Sequence, residues 1–215
     1  MLKIVIGDKN YSSWSMRGWL ALELTGAPYE EVLVRLDRPD TAERIRSYSA
    51  AGRVPVLLDG DLAVWDSLAI CEYLAERFPS AGLWPAAPRA RALARAVSAE
   101  MHAGFEALRA SLPVNIRSRL RAGPLAPAAA RDLERIRAIW RGLLAPERDG
   151  DYLFGRFGIA DAMFAPVVTR CRTYGLTLEG VEAAYAEAVL RHPAVAKWIA
   201  GALEEGGSIA RFDGG

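Results

Sequence analysis

The sequence predicts a mixed α/β domain followed by an all-helical domain. Strand-like and helix-like segments alternate over about the first eighty of its 215 residues. Pro79, Pro85 and Pro88 then interrupt the pattern, and no strand-like segment follows them. We therefore divide the chain into a mixed domain, a linker and a helical domain. These are residues 1–80, 81–88 and 89–215.

The chain opens with a predicted β-α-β-α unit. Residues 2–6 (LKIVI) form an apolar run of strand length, and the helical pattern from position 14 ends near Gly26, a residue typical of helix C-termini. Residues 29–36 alternate and contain β-branched side chains, which predicts the second strand. An Asp-Thr cap signal within residues 38–49 predicts a short second helix.

A hairpin and a helix complete this domain. Residues 54–65 hold two apolar runs on either side of an Asp-Gly pair, which is a hairpin signal. Residues 66–78 carry apolar side chains at helical spacing and stop before a proline. The order is β-α-β-α-β-β-α, and it predicts a mixed four-stranded sheet with a parallel crossover and an antiparallel hairpin.

The second domain is predicted to contain helices only. We place them at residues 89–111, 127–145, 158–176, 178–190 and 192–206, with a partly ordered tail after them.

Composition excludes several classes of function. Hydrophobic residues make up 52% of the chain, enough for a packed core, and the net charge of +1 offers no basic surface for nucleic acid or an anionic membrane. No apolar run approaches the length of a membrane span, and the N-terminus lacks a secretory pattern. Cys71 and Cys171 are expected to be buried free thiols, so we expect a cytoplasmic protein.

Three serines cluster where the first predicted helix begins. Capping needs one hydroxyl, whereas the sequence supplies Ser12, Ser13 and Ser15. A hydroxyl at a helix N-terminus can donate to an anion, and together with the helix dipole it favours a thiolate over a thiol. Because no cysteine lies in this loop, the thiol would have to belong to a ligand.

Two further dipeptides each allow a structural and a functional interpretation. The Val54-Pro55 bond either begins an edge strand in the trans form or, if cis, turns the Val54 backbone outward. Asp66 and Ser67 either cap the helix that follows or bind the carboxylate and ammonium groups of an amino acid.

These features, in this order, resemble the glutathione transferase superfamily over nearly the whole chain. The Ser-Ser-x-Ser-x-Arg pattern at residues 12–17 is most similar to its serine-type, zeta-related bacterial branch, and residues 52–74 resemble its glutathione-binding segment. The resemblance implies a thioredoxin-like N-terminal domain, glutathione as co-substrate, a small electrophile as second substrate and a homodimer. No cluster of metal-ligating residues is visible in the sequence, so no metal is expected.

The resemblance also implies roles around the glutathione sulfur. Ser12 would donate to the thiolate and Ser13 would assist it or cap the helix, with Tyr11 as a rival because other branches use a tyrosine there. Relatives that perform thiol-transferase chemistry need a cysteine in this loop, whereas this chain has Trp14.

For the remaining atoms of glutathione, the resemblance implies backbone and side-chain partners. The Val54 backbone, before cis Pro55, would pair with the cysteinyl backbone of glutathione. Asp66 and Ser67 would bind the γ-glutamyl end, and Arg53 would face the glycyl carboxylate.

The second substrate is predicted to lie between the two domains. Candidate walls are Trp14 together with Met101, Phe105 and Leu108, although apolar residues at the helical spacing of the last three more often belong to a core than to a pocket. His102 is interpreted as a helix-face residue. Neither His102 nor His192 is interpreted as a catalytic base or a metal ligand.

Zeta-related maleylacetoacetate isomerases carry an arginine seven residues after the proline of their central helix. Counting from Pro166 reaches Thr173, near Arg170 and Arg172, so this chain departs from the isomerase pattern unless a one-residue shift of the helix brings Arg172 to that position. The expected activity is conjugation of glutathione to small electrophiles. A glutathione-dependent isomerase or peroxidase is the alternative, and a non-catalytic module for protein contacts is a third.

The start of the predicted helix at residues 158–176 resembles the folding motif of the superfamily. A Ser/Thr-x-x-Asp box caps this helix in relatives, whereas here Gly158 replaces the hydroxyl residue and Asp161 is kept. Since glycine is an acceptable cap, the helix is expected to form with half of its box.

Overall fold

The N-terminal part contains a four-stranded mixed sheet in the order β2-β1-β3-β4. The computed structural model describes residues 1–144 and 150–213. Strand β1 pairs with β2 in parallel and with β3 antiparallel, and β3 pairs with β4 antiparallel, so the predicted order and mixed sheet are confirmed. The elements are β1 (Leu2–Ile6), α1 (Ser13–Leu24), β2 (Tyr29–Leu33), α2 (Thr41–Arg46), β3 (Val56–Asp59), β4 (Leu62–Trp65) and α3 (Ser67–Arg77).

Alternation along β1 separates the two faces of this sheet. Ile4 and Ile6 join the main core with α1 and α3, whereas Val5 points to the opposite face and packs with Val34 and Val56. The sheet therefore presents one face to the rest of the molecule.

The second part is helical, as predicted. It contains α4 (Pro88–Ala103), α5 (Glu106–Ser111), α6 (Pro127–Leu143), α7 (Ile159–Tyr174), α8 (Gly180–Arg191) and α9 (Pro193–Glu204). The predicted end of α6 at position 145 lies outside the described residues. None of the described helices is long and apolar enough to cross a membrane.

The prediction of one helix over residues 89–111 is wrong. The helix is interrupted at two residues. Gly104 has an extended backbone, and Phe105 has a left-handed conformation with a φ of 61°. An added Cβ at Gly104 would lie 2.9 Å from the Glu100 carbonyl oxygen, so the turn at this point requires glycine.

Helix α7 is buried along almost its whole length and joins the two parts of the molecule. One continuous core contains side chains from the sheet, α1, α3 and the C-terminal helices. The rings of Trp19 in α1 and Trp198 in α9 meet edge to face at 5.3 Å.

Asp161 caps α7 as the sequence predicts. Its carboxylate accepts hydrogen bonds from the Gly158 amide at 2.9 Å, the Leu153 amide at 3.1 Å and the Tyr185 hydroxyl at 3.1 Å. The helix therefore forms with glycine in place of the hydroxyl residue.

The loop between β1 and α1 is held by the C-terminal part of the chain. Glu205 accepts from the amides of Lys9 at 2.9 Å and Asn10 at 3.2 Å, and the Asn10 side chain donates to Asn115 at 2.9 Å. These contacts fix the position at which α1 begins.

Candidate active site

A groove of about 570 Å³ opens where the β1–α1 region, β3 and the N-terminus of α3 meet α4. It is lined by Trp14, Ala51, Arg53, Val54, Pro55, Trp65, Asp66, Ser67 and His102. The structure thus brings together all five residues predicted to bind glutathione, which lie in two separate segments of the chain.

The Val54-Pro55 peptide bond at this groove is cis. The trans alternative is therefore wrong. No hydrogen bond to the Val54 backbone occurs within residues 1–144 and 150–213. Gly18 of α1 lets the helix approach, since a Cβ there would lie 3.2 Å from Pro55 Cγ. The amide and carbonyl of Val54 remain available to a ligand at the groove.

Asp66 serves both as a helix cap and as a groove residue. Its Oδ1 accepts from the amides of Leu68 at 2.9 Å and Ala69 at 3.2 Å, which caps α3. Its Oδ2 lies 3.1 Å from Nε2 of His102. The backbone φ of Asp66 is 75°, a left-handed conformation that is uncommon outside glycine.

Ser67 carries a polar group that the protein leaves unpaired. Its hydroxyl is completely buried and has no hydrogen-bond partner among the described residues. It stands in the first turn of α3, where the positive end of the helix dipole favours an anion. A carboxylate bound at this end of the groove would give the hydroxyl an acceptor.

The serines at the start of α1 make different hydrogen bonds. Ser12 is the N-cap of α1: its Oγ accepts from the Ser15 amide at 3.2 Å and donates to Ser15 Oγ at 2.8 Å. Ser15 Oγ in turn accepts from the Gly7 amide at 3.0 Å. Ser12 rather than Ser13 caps the helix.

Ser13 has a free hydroxyl. It makes no hydrogen bond with any described residue. Because its oxygen is not among the fully buried atoms that lack a partner, the hydroxyl retains contact with solvent. Ser12 and Ser13 therefore differ in availability, which the sequence does not reveal.

Comparison with known proteins agrees with this geometry. The model of the glutathione S-transferase N-terminal domain matches residues 11–77. A maleylacetoacetate isomerase from Rhizobium meliloti is 34% identical over 187 residues, which cover 81% of this chain and 84% of that protein. The chain belongs to the glutathione transferase superfamily. The match to a dichloromethane dehalogenase from Methylorubrum extorquens is 41% identical over 59 residues, and it spans only 20% of that protein.

Solved structures of the superfamily share the fold. A glutathione transferase homologue from Burkholderia with bound glutathione is 25% identical, covers 95% of this chain and 99% of its own, and superposes with a TM-score of 0.74. A bacterial maleylpyruvate isomerase described as zeta class is 24% identical, covers 94% and 98%, and has a TM-score of 0.73. The thioredoxin-like domain and the helical domain are thus confirmed.

Tyr11, the residue that other branches of the superfamily use, is occupied elsewhere. Its hydroxyl donates to Asp213 Oδ1 at 2.6 Å and accepts from the Ile209 amide at 3.2 Å. The described part of the predicted tail therefore packs against Tyr11.

The predicted wall of the second-substrate pocket is only partly in the groove. Trp14 lines it, whereas Met101, Phe105 and Leu108 are buried in the main core. The groove residue on α4 is instead His102, whose ring meets Trp14 edge to face at 5.2 Å. Sequence reasoning missed His102 because its contact with Asp66 joins segments 36 positions apart, which no local pattern signals.

The residues compared with the isomerase arginine are not at the groove. Thr173 is buried and donates to the Asn115 carbonyl oxygen at 2.8 Å, and Arg170 is buried on α7. Neither these two nor Arg172 line the groove. None of the three residues at or beside the position of the isomerase arginine therefore contributes to the lining of this groove.

Both cysteines are free and buried. Burial raises the pKa of the Cys71 thiol to about 12 and that of the Cys171 thiol also to about 12. Neither is a thiolate at neutral pH, so a reactive sulfur in this protein has to come with a ligand.

Proposed function

We propose that this protein binds reduced glutathione in the groove and transfers it to small hydrophobic electrophiles. The observation that carries the proposal is the unpaired, buried Ser67 hydroxyl at the N-terminus of α3, in one groove with the unpaired backbone of Val54. An amino-acid carboxylate fits the first and a peptide backbone fits the second.

Each part of glutathione has a partner of suitable chemistry. The γ-glutamyl carboxylate would accept from Ser67, while its ammonium would contact Asp66 Oδ2 beside His102. The cysteinyl backbone would pair with Val54, and the glycyl carboxylate would face Arg53. The sulfur would then lie towards the start of α1.

Ser12 is proposed to hold the sulfur as a thiolate. Hydroxyl protons rotate, so the bond between Ser12 and Ser15 can reverse. Ser15, which accepts from the Gly7 amide, would then donate to Ser12, and the proton of Ser12 would turn to the sulfur. This chain of three donors would lower the pKa of the bound thiol together with the helix dipole.

The chemical step is a nucleophilic attack by this thiolate. With an aryl halide, the sulfur lone pair forms the new carbon–sulfur bond and the halide leaves with the bonding electrons. The protein's residues bind the peptide, hold the negative sulfur before the attack and release it as charge moves to the leaving group.

Replacing Ser67 by alanine should weaken glutathione binding by about tenfold, because the ligand carboxylate loses one hydrogen bond. Titration calorimetry measures the change. Ser98→Ala is the matched control, since Ser98 also has a fully buried, unpaired hydroxyl among the described residues but lies outside the groove. Equal glutathione affinities of the Ser67→Ala and Ser98→Ala variants would show that the γ-glutamyl carboxylate does not bind Ser67.

A glutathione-dependent isomerase is the second candidate. It is favoured by the relative named maleylacetoacetate isomerase and disfavoured by Thr173 at the arginine position. A substrate panel with an aryl halide, cumene hydroperoxide and maleylacetone separates transferase, peroxidase and isomerase activities. We expect the highest kcat/KM with the aryl halide, and failure to bind a glutathione-agarose column would instead indicate a non-catalytic module.

We further propose a cytoplasmic homodimer formed beside the groove. Strand β4 is at the edge of the sheet, and its Leu62 and Trp65 are 45% and 56% exposed. An exposed apolar edge strand favours association with a second surface. Light scattering should give twice the chain mass for the wild type and the monomer mass for Leu62→Glu. A monomeric wild type would contradict the proposal.

A further inference from the structure

The middle of the loop between β1 and α1 is bonded to the C-terminal part of the molecule. Oε1 of Glu205 accepts from the Lys9 amide at 2.9 Å, and Oε2 accepts from the Asn10 amide at 3.2 Å. The indole Nε1 of Trp198 donates to the Lys9 carbonyl oxygen at 3.0 Å, and the Ile116 amide donates to the Asn10 carbonyl oxygen at 3.2 Å. The amide and the carbonyl group of both loop residues therefore have partners outside the N-terminal domain.

The Glu205 carboxylate is almost completely buried, with 9% of its side chain exposed. A buried carboxylate is unfavourable unless hydrogen bonds or a cation replace the lost solvent. Arg35 lies 4.0 Å from Oε2 and contacts Asp8 more closely, at 2.7 Å. The two loop amides are therefore the close partners of this carboxylate. It can serve both amides because each of its oxygens is an acceptor, whereas the amide group of a glutamine has only one acceptor oxygen.

The same loop determines where the Ser12 hydroxyl lies. The amides of Tyr11 and Ser12 donate to the Asp8 carbonyl oxygen at 3.0 Å and 2.8 Å. The two residues bonded to Glu205 lie inside this turn, so a shift of their amides also moves Ser12, the N-cap of α1. The position of the Ser12 hydroxyl thus depends on the Glu205 carboxylate.

The residues proposed to hold the glutathione peptide belong to other elements. Val54 precedes β3, whereas Asp66 and Ser67 stand at the start of α3. A displaced β1–α1 loop would therefore carry Ser12 away from the sulfur while the peptide stays bound. We propose that Glu205 is a positioning residue, whose carboxylate holds the loop so that the Ser12 hydroxyl reaches the thiolate. This inference rests on the proposed function, which assigns glutathione to the groove.

Replacing Glu205 by glutamine in the full chain tests this role. The substitution keeps the length of the side chain but replaces one acceptor oxygen with an NH2 donor that faces a loop amide. We expect the thiol pKa of bound glutathione, measured from the thiolate absorbance, to rise by about one unit, and kcat/KM for an aryl halide to fall by about tenfold. The affinity for S-methylglutathione should stay within about twofold of the wild type, because the peptide contacts are unchanged.

Glu204→Gln is the matched control, since it removes the same charge from the exposed neighbouring residue. It should retain the wild-type thiol pKa and kcat/KM. Hydrogen exchange without glutathione reports on the loop itself, and the amides of residues 9–12 should exchange faster in Glu205→Gln than in Glu204→Gln. If Glu205→Gln does not fold, Glu205→Asp, which keeps both oxygens on a shorter side chain, should show the same changes with about a threefold loss of kcat/KM.

Failure of the positioning role and failure of the proposed function give different results. A folded Glu205→Gln variant with the wild-type thiol pKa and kcat/KM would overturn the positioning role and leave the proposed function intact. Equal losses of S-methylglutathione affinity and of kcat/KM would also overturn the positioning role, because they indicate general damage to the groove. A wild-type protein that binds glutathione without lowering its thiol pKa would contradict the proposed function itself.

Discussion

Replacing Ser12 by alanine should lower kcat/KM for an aryl halide by about 100-fold, the effect of removing one preorganised donor to a negative atom. The variant loses the proposed donor to the sulfur and leaves Ser15 without its hydroxyl partner. It also loses the cap of α1, which contributes about 1 kcal/mol, so circular dichroism has to show that the variant is folded.

Ser13→Ala is the matched control for this experiment. It removes a hydroxyl one residue further along, and that hydroxyl has no partner in the described structure. We expect kcat/KM within about threefold of the wild type, a difference below 1 kcal/mol. A larger loss in Ser13→Ala than in Ser12→Ala would transfer the role to Ser13, and wild-type rates in both would exclude a serine mechanism.

Replacing Asp161 by alanine should destabilise the protein by about 3 kcal/mol. The change removes the cap of α7 and leaves the half-buried Gly158 amide and the buried Tyr185 hydroxyl without their acceptor. Since α7 lies at the centre of the core, the loss affects the whole molecule. Urea unfolding at constant pH measures it.

Asp40→Ala is the control for Asp161→Ala. Asp40 is the N-cap residue of α2, whereas Asp161 is the third residue of α7, and Asp40 makes no side-chain cap hydrogen bond. Its replacement should change the free energy of unfolding by less than about 0.5 kcal/mol. Equal effects of the two substitutions would show that the carboxylate of Asp161 does not stabilise α7.

Asp161 also predicts a pH dependence of stability. Burial raises its pKa to about 6, while its hydrogen bonds oppose that change. The unfolded chain loses this proton near pH 4, before the folded protein does, so the contribution of this group to stability falls as the pH rises from about 4 to about 6. The slope should be absent in Asp161→Ala.

The fold was predictable because its signals are local. Apolar runs of strand length, the Asp-Gly hairpin signal and the proline-rich linker each act over a few residues. The break after α4 was not predictable in this way, because the Ala/Arg/Leu pattern continues through Gly104 and only tertiary packing places Phe105 in a left-handed conformation.

The sequence predicted which residues lie at the candidate site better than it predicted what each of them contacts. Either Ser12 or Ser13 could cap α1 from sequence alone, since both precede the same helix. The partner of Tyr11, Asp213, is 202 residues away, and His102 approaches Asp66 across the interface between the two parts of the chain. Such pairings depend on how the helices pack on the sheet, which local patterns do not determine.

The measurement that tests the central claim most directly is the absorbance of the bound thiolate as a function of pH. Glutathione is compared with S-methylglutathione on the wild-type protein. A bound thiolate held by the start of α1 predicts saturable binding and a thiol pKa about two units below the free value near 8.5. No saturation at millimolar glutathione, or a bound thiol that titrates at its free value, would contradict the account.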